Sequence, residues 1–139
     1  MTATVDINVL LDVFQNRQPH FTASAQVVGL VVAGELTGVC PVHGLTTLYY
    51  LVRKHAAKQQ AEAAMDQILD HFQLGQMNAA AMREARQMPM DDFEDAVVAV
   101  VARATASRFI ITRNVEDFAA SPVPAISPED FLSQWKVLF

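Results

Sequence analysis

The sequence predicts one α/β domain spanning residues 1–139, with a central, mainly parallel sheet covered by helices on both faces. Two observations predict it. Short apolar runs alternate with helical ones along the chain, and polar residues suited to chemistry stand at the ends of the apolar runs. No internal repeat, low-complexity tract or linker divides the chain. Its 52% hydrophobic and 18% charged residues supply a core and exclude a disordered chain.

The elements follow in order. The first apolar run, ATVDINVLL, reads as a strand at about Ala3–Ile7 with Asp6 and Asn8 at its end. A helix is expected from Phe21 to Ala33, a strand at Thr37–Val42, then helices at Thr46–Ala57 and Lys58–Phe72. The short run Phe72–Met77 is a strand candidate before a helix near Asn78–Gln87, where the Asn78 side chain is placed to accept from a free backbone N–H. The run after Phe93 turns apolar, AVVAVVARA, and predicts a buried helix to Ser107. Strands at Phe109–Thr112 and Val123–Ile126 precede a last helix, Pro128–Trp135, capped by Ser127; Trp135, Leu138 and Phe139 are candidates for burial in the core or an interface.

Composition limits the function. A lone cysteine, Cys40, excludes an internal disulfide, and no signal-peptide pattern opens the chain; both fit a reducing, cytoplasmic setting. The longest uncharged runs carry Pro, His and polar residues, so no membrane span is expected. A net charge of −5 counts against nucleic-acid binding through Lys and Arg alone. That inference reverses if the acids gather around a metal ion, whose charge changes the sign of the local field.

Residues Met90–Val97 read MDDFEDAV and place four carboxylates in five positions. A helix dipole favours one or two acids at its start, each by about 0.3–1 kcal/mol, but neighbouring carboxylates repel and raise one another's pKa unless a cation neutralises them. Asp92 and Asp95 are three apart and Asp91 and Asp95 four apart, so either pair shares a helix face, while Glu94 is expected to point elsewhere. In a parallel sheet, sites form beyond the carboxyl ends of strands. Asp6 and Asn8 end the first strand, and the strand FIIT runs out into Arg113, Asn114, Val115, Glu116, Asp117 and Phe118. These clusters share a destination with the acidic helix start. Oxygen ligands alone suit Mg²⁺ or Mn²⁺, and the scattered His20, His43, His55 and His71 offer no zinc spacing. An aspartate at the end of an apolar strand is costly without a partner, which singles out Asp6.

Taken together, VDINVLLDVF, TTLYYLVRK, DDFEDAVVA and IITRNVEDF, in that order over nearly the whole chain, resemble the PIN-domain nucleases, in the branch with an Asp-Phe-Glu-Asp-Ala signature. The resemblance implies an α/β/α sandwich and Mg²⁺- or Mn²⁺-dependent endoribonuclease activity. It also implies a toxin of a VapBC-type pair, often homodimeric, with an antitoxin partner. Asp6 matches the first family acid, Asp95 the acid opening the buried helix, Asp92 an additional acid of the branch, and Asp117 the acid preceding Phe in the late loop. Two positions depart from the commonest pattern: Thr47 stands where a helix Glu is usual, and Asn114 where an acid follows Thr-Arg.

In the implied chemistry Asp6, Asp92 and Asp95 hold metal, and Asp117 assists or acts through water. Asn8 fixes the geometry around Asp6 or caps the following helix, and Thr112, Arg113 and Asn114 lie beside the scissile phosphate. Tyr49, Tyr50, Arg53 and Lys54 offer single-stranded RNA a stacking and pairing surface, although tyrosines at such positions more often pack a core or dimer face. Asp12 is expected to be a solvated helix residue and His43 to be a satisfied loop or core residue. The competing reading is a PIN-fold binding or regulatory module whose catalysis is impaired at Thr47 and Asn114. A phosphatase or response-regulator-like domain ranks last, because Arg113 and Asn114 stand where a lysine would follow the late strand.

Overall fold

A computed structural model describes residues 1–138; Phe139 lies outside the described residues. The strands are β1 (Thr2–Val5), β2 (Thr37–Pro41), β3 (Gln73–Gly75), β4 (Phe109–Ile111) and β5 (Ala125–Ile126). They form one sheet in the order β3-β2-β1-β4-β5, and each neighbouring pair is parallel. The order reverses direction between β1 and β4, where Val5 stands opposite Ile111. Such a switch point leaves a crevice beyond the strands' carboxyl ends.

The helices are α1 (Ile7–Phe14), α2 (Phe21–Val32), α3 (Leu45–His55), α4 (Lys58–His71), α5 (Ala79–Gln87), α6 (Phe93–Ala104) and α7 (Pro128–Leu138). One core packs Val9, Leu10, Val27, Leu48, Ile68 and Phe131 with Ala3 and Val5 of the central strand. The other packs Val98, Ala99 and Ala102 of α6 with Ile110 and Phe118. Every residue from Ala96 to Ala102 is buried. The alternation of small and branched side chains lets α6 lie close on the sheet, and at Gly75 an added Cβ would collide with Val101. Arg103 of α6 pairs with Glu84 of α5. Trp135 stacks beside Phe131 at 5.8 Å between ring centres, whereas Leu138 is exposed.

The main correction to the expected fold falls on the first apolar run. β1 ends at Val5, and Asp6 and Asn8 do not end a strand. Asp6 is the N-cap of α1, its Oδ1 accepting the Ile7 N–H at 2.8 Å, and Asn8 lies in the first helical turn. A continuous apolar run carries no period by which strand and helix are told apart, so ATVDINVLL does not mark where the strand gives way to the helix. The caps at Asn78 and Ser127 form as expected: Asn78 Oδ1 accepts the Ala81 N–H at 2.9 Å, and Ser127 Oγ accepts the Asp130 N–H at 3.1 Å. Among the described residues no helix is long and apolar enough to cross a membrane.

Candidate active site at the sheet switch point

Asp6 leaves the end of β1 and is 8% exposed. Thr112, the first residue beyond β4, donates its Oγ1–H to Asp6 Oδ2 at 2.9 Å. The Asn8 amide reaches the same oxygen at 3.5 Å and Thr112 Oγ1 at 3.3 Å, and Thr112 Oγ1 also accepts the Asn114 N–H at 3.1 Å. Asn8 Oδ1 in turn accepts the Arg113 N–H at 3.4 Å. Burial raises the Asp6 carboxyl above its ordinary value; the hydrogen bonds from Thr112 and Ile7 oppose that shift, as does the charge of Arg113, while Glu94 adds to it.

The second half of the site is the start of α6. Asp92 is its N-cap, accepting the Asp95 N–H at 3.0 Å through Oδ1. Asp95 sits in the first turn, and its carboxyl is raised from 3.8 to about 6. Desolvation is the largest cause, followed by the charges of Asp92, Asp6, Asp117 and Glu94. The acids that the sequence placed far apart therefore act on one another. An open cleft of about 320 Å³ beside them is lined by Asp91, Asp92, Asp95, Glu116 and Asp117 over Pro89, Met90, Ala119 and Ala120. Asp6 does not line this cleft.

A hard divalent cation fits the chemistry of this donor set, because it would relieve the repulsion that burdens Asp95 and use oxygen ligands alone. Among the described residues no three His, Cys, Asp or Glu side chains are already drawn to metal spacing.

Several expectations change. Glu94 does not line the acidic cleft, as the helix spacing implied, although its charge still acts on Asp6, Asp95 and His43. Asp12 is fully buried, not solvated: Ser24 Oγ donates to its Oδ2 at 3.1 Å, and Arg113 Nε lies 2.9 Å from the same oxygen. His43, expected to be satisfied, has a buried Nδ1 with no partner, and burial lowers its pKa. Tyr49 is partly buried and bonds Glu62 at 3.0 Å, whereas Tyr50 is 60% exposed with Lys54 Nζ 6.0 Å from its ring centre. Thr47, Asn114 and Asp117 are all exposed, and only Asp117 of the three lines the acidic cleft.

A parallel α/β domain with carboxylates gathered beside its switch point belongs to the class of folds that form their sites beyond the carboxyl ends of the strands. Residues 2–116 match the PIN-domain family, and the chain belongs to that family. It is 22% identical over 139 residues to Ribonuclease VapC1 of Aquifex aeolicus (strain VF5), covering 96% of this chain and 95% of that protein. Its fold resembles that of VapBC2 from Rickettsia felis bound to a DNA fragment from their promoter, with a TM-score of 0.70, 17% identity, and coverage of 91% of this chain and 98% of that one. It also resembles Mycobacterium tuberculosis VapC20, a Sarcin-Ricin loop cleaving toxin, with a TM-score of 0.68, 15% identity, and coverage of 85% and 94%.

Proposed function

We propose that the chain is a Mg²⁺- or Mn²⁺-dependent endoribonuclease that cleaves single-stranded RNA as the toxin of a toxin–antitoxin pair. The observation that carries this reading is the gathering of Asp92, Asp95 and Asp117 on one cleft, within reach of the Asp6 charge. The relative named as a ribonuclease, and the fold neighbour named as a Sarcin-Ricin loop cleaving toxin, support the substrate class. A partner antitoxin is supported by the neighbouring fold having been solved as a VapBC pair. A homodimer belongs to the same reading through the family resemblance.

Asp6 and Asp95 are the primary metal-holding residues, with Asp92 contributing the carboxylate oxygen that its cap leaves over. A divalent ion held there would polarise the phosphodiester and lower the pKa of coordinated water. Thr112 and Asn8 hold Asp6 in one orientation through the bonds described above. Asp117, exposed on the cleft wall, serves with Asp92 as the candidate pair for the general base. Arg113 supplies positive charge beside the scissile phosphate.

The impaired-module reading is favoured by one feature, the uncharged Thr47 and Asn114. Calorimetric or thermal-shift titration with Mn²⁺, run on the native chain, Asp6→Asn and Asp95→Asn with a mixed RNA pool in parallel, separates the two. Binding and cleavage that vanish together in both variants uphold the nuclease. No binding at millimolar Mn²⁺, with variants at least as stable as the parent, sinks it.

A further inference from the structure

We infer that Asp12 is a positioning residue: from inside the core it fixes the loop Thr112–Asn114, and with it Arg113, beside Asp6. The inference rests on the nuclease reading for its activity assay, but its geometry stands alone. Asn8 and Asp12 are four apart on α1 and so share a face. Asn8 takes the Arg113 backbone N–H, and Asp12 takes the Arg113 side chain. The loop is thereby pinned at two points to the helix that Asp6 caps. Thr112, one residue earlier, is the donor to Asp6.

Asp12 has no exposure, and the Arg113 side chain keeps 26%. Ser24 of α2 orients the carboxylate by donating to Oδ2. The pair is not built for stability. Asp12 Oδ1 has no partner, and the Arg113 Nε–H makes no formed hydrogen bond despite its 2.9 Å approach, so the contact is ionic. A half-satisfied buried pair contributes little to folding compared with an apolar replacement. What it does is deny Arg113 other positions. Among the described residues no other carboxylate pairs with Arg113.

The test is a double-mutant cycle on kcat/KM for single-stranded RNA with Mn²⁺, using Asp12→Asn, Arg113→Gln and the double variant. Asp12→Asn is expected to lose up to about 10²-fold, the scale of a small misplacement remote from the chemistry. The double variant should match Arg113→Gln alone, because Asp12 acts only through that side chain. Losses that multiply, or an undiminished kcat/KM in folded Asp12→Asn, overturn the inference. Ser24→Ala, which keeps the carboxylate, should show a smaller loss of the same sign that also disappears in the Arg113→Gln background. It keeps the test open if Asp12→Asn fails to fold.

A second readout needs no cleavage. The Arg113 Nε–H resonance, assigned by its loss in Arg113→Gln, should be dispersed and slow to exchange in the native protein. It should merge with the exposed arginines in Asp12→Asn and broaden toward them in Ser24→Ala. Retention of the native signal in both variants overturns the inference, whereas an inactive native protein with the expected spectra removes only the nuclease reading.

Discussion

Asp6 and Asp95 are near enough for their charges to act on each other but are held in opposite ways. Asp6 is buried at a strand end and gripped by donors from Ile7, Asn8 and Thr112. Asp95 is only partly buried at a helix start, and it is surrounded by the like charges of Asp92, Asp6, Asp117 and Glu94. One acid is oriented by protein hydrogen bonds; the other is left to be neutralised by something the protein does not supply. The contrast teaches how such a site is divided: the sheet end sets position, and the helix end stores the electrostatic demand for a cation.

The largest expected effect comes from breaking the oriented half. Asp6→Asn should lower both Mn²⁺ affinity and RNA cleavage by more than about a hundredfold, above the 10–100-fold typical of residues that merely support a ligand. Calorimetry on the folded variant, paired with a cleavage assay, measures this. Thr112→Val keeps the shape but removes the hydroxyl that serves Asp6, Asn8 and Asn114. It should fall within that 10–100-fold range for metal affinity and cost about 1–3 kcal/mol of stability in denaturant titration. An effect of Thr112→Val as large as that of Asp6→Asn would erase the distinction between ligand and support.

The repelled half predicts a pH dependence. Because the folded Asp95 carboxyl is raised from 3.8 to about 6, the folded chain binds more protons than the unfolded one across that interval. Its stability contribution is therefore present below 3.8 and lost as pH rises toward 6. Melting temperatures of the metal-free protein should fall across this window more steeply than those of Asp95→Asn, and Mn²⁺ at neutral pH should recover the difference. Equal slopes for the two proteins would show that the crowded acids do not burden the fold. The smallest effect is expected from Thr47→Glu, which restores an acid on α3 and should tighten Mn²⁺ binding by a few fold if the first turn of α3 faces the site.

Much of the fold was legible in the residues. The alternating pattern gave the parallel sheet, and Asn78 and Ser127 cap as their side chains require. Asp6, Asp92 and Asp95 stood out as candidates because carboxylates beside an apolar strand and at a helix start are costly alone. Asp12 was legible as a helix residue but its burial was not, because the partners that bury it, Ser24 and Arg113, come from other elements. His43 and Tyr50 depart from the usual burial habits of their types, and no local pattern encodes such departures.

The pairing of β1 with β4 has a consequence for the chain as it is being made. Asp6 is synthesised 106 residues before Thr112, its hydroxyl donor. Val5 likewise waits for Ile111 to complete the central ladder. The acidic start of α6 is synthesised before that strand, so the growing chain carries every carboxylate of the cluster except Glu116 and Asp117 while the piece that orients Asp6 is still missing. A domain proposed to cut RNA thus stays unassembled for most of its translation, beside the very messenger that encodes it.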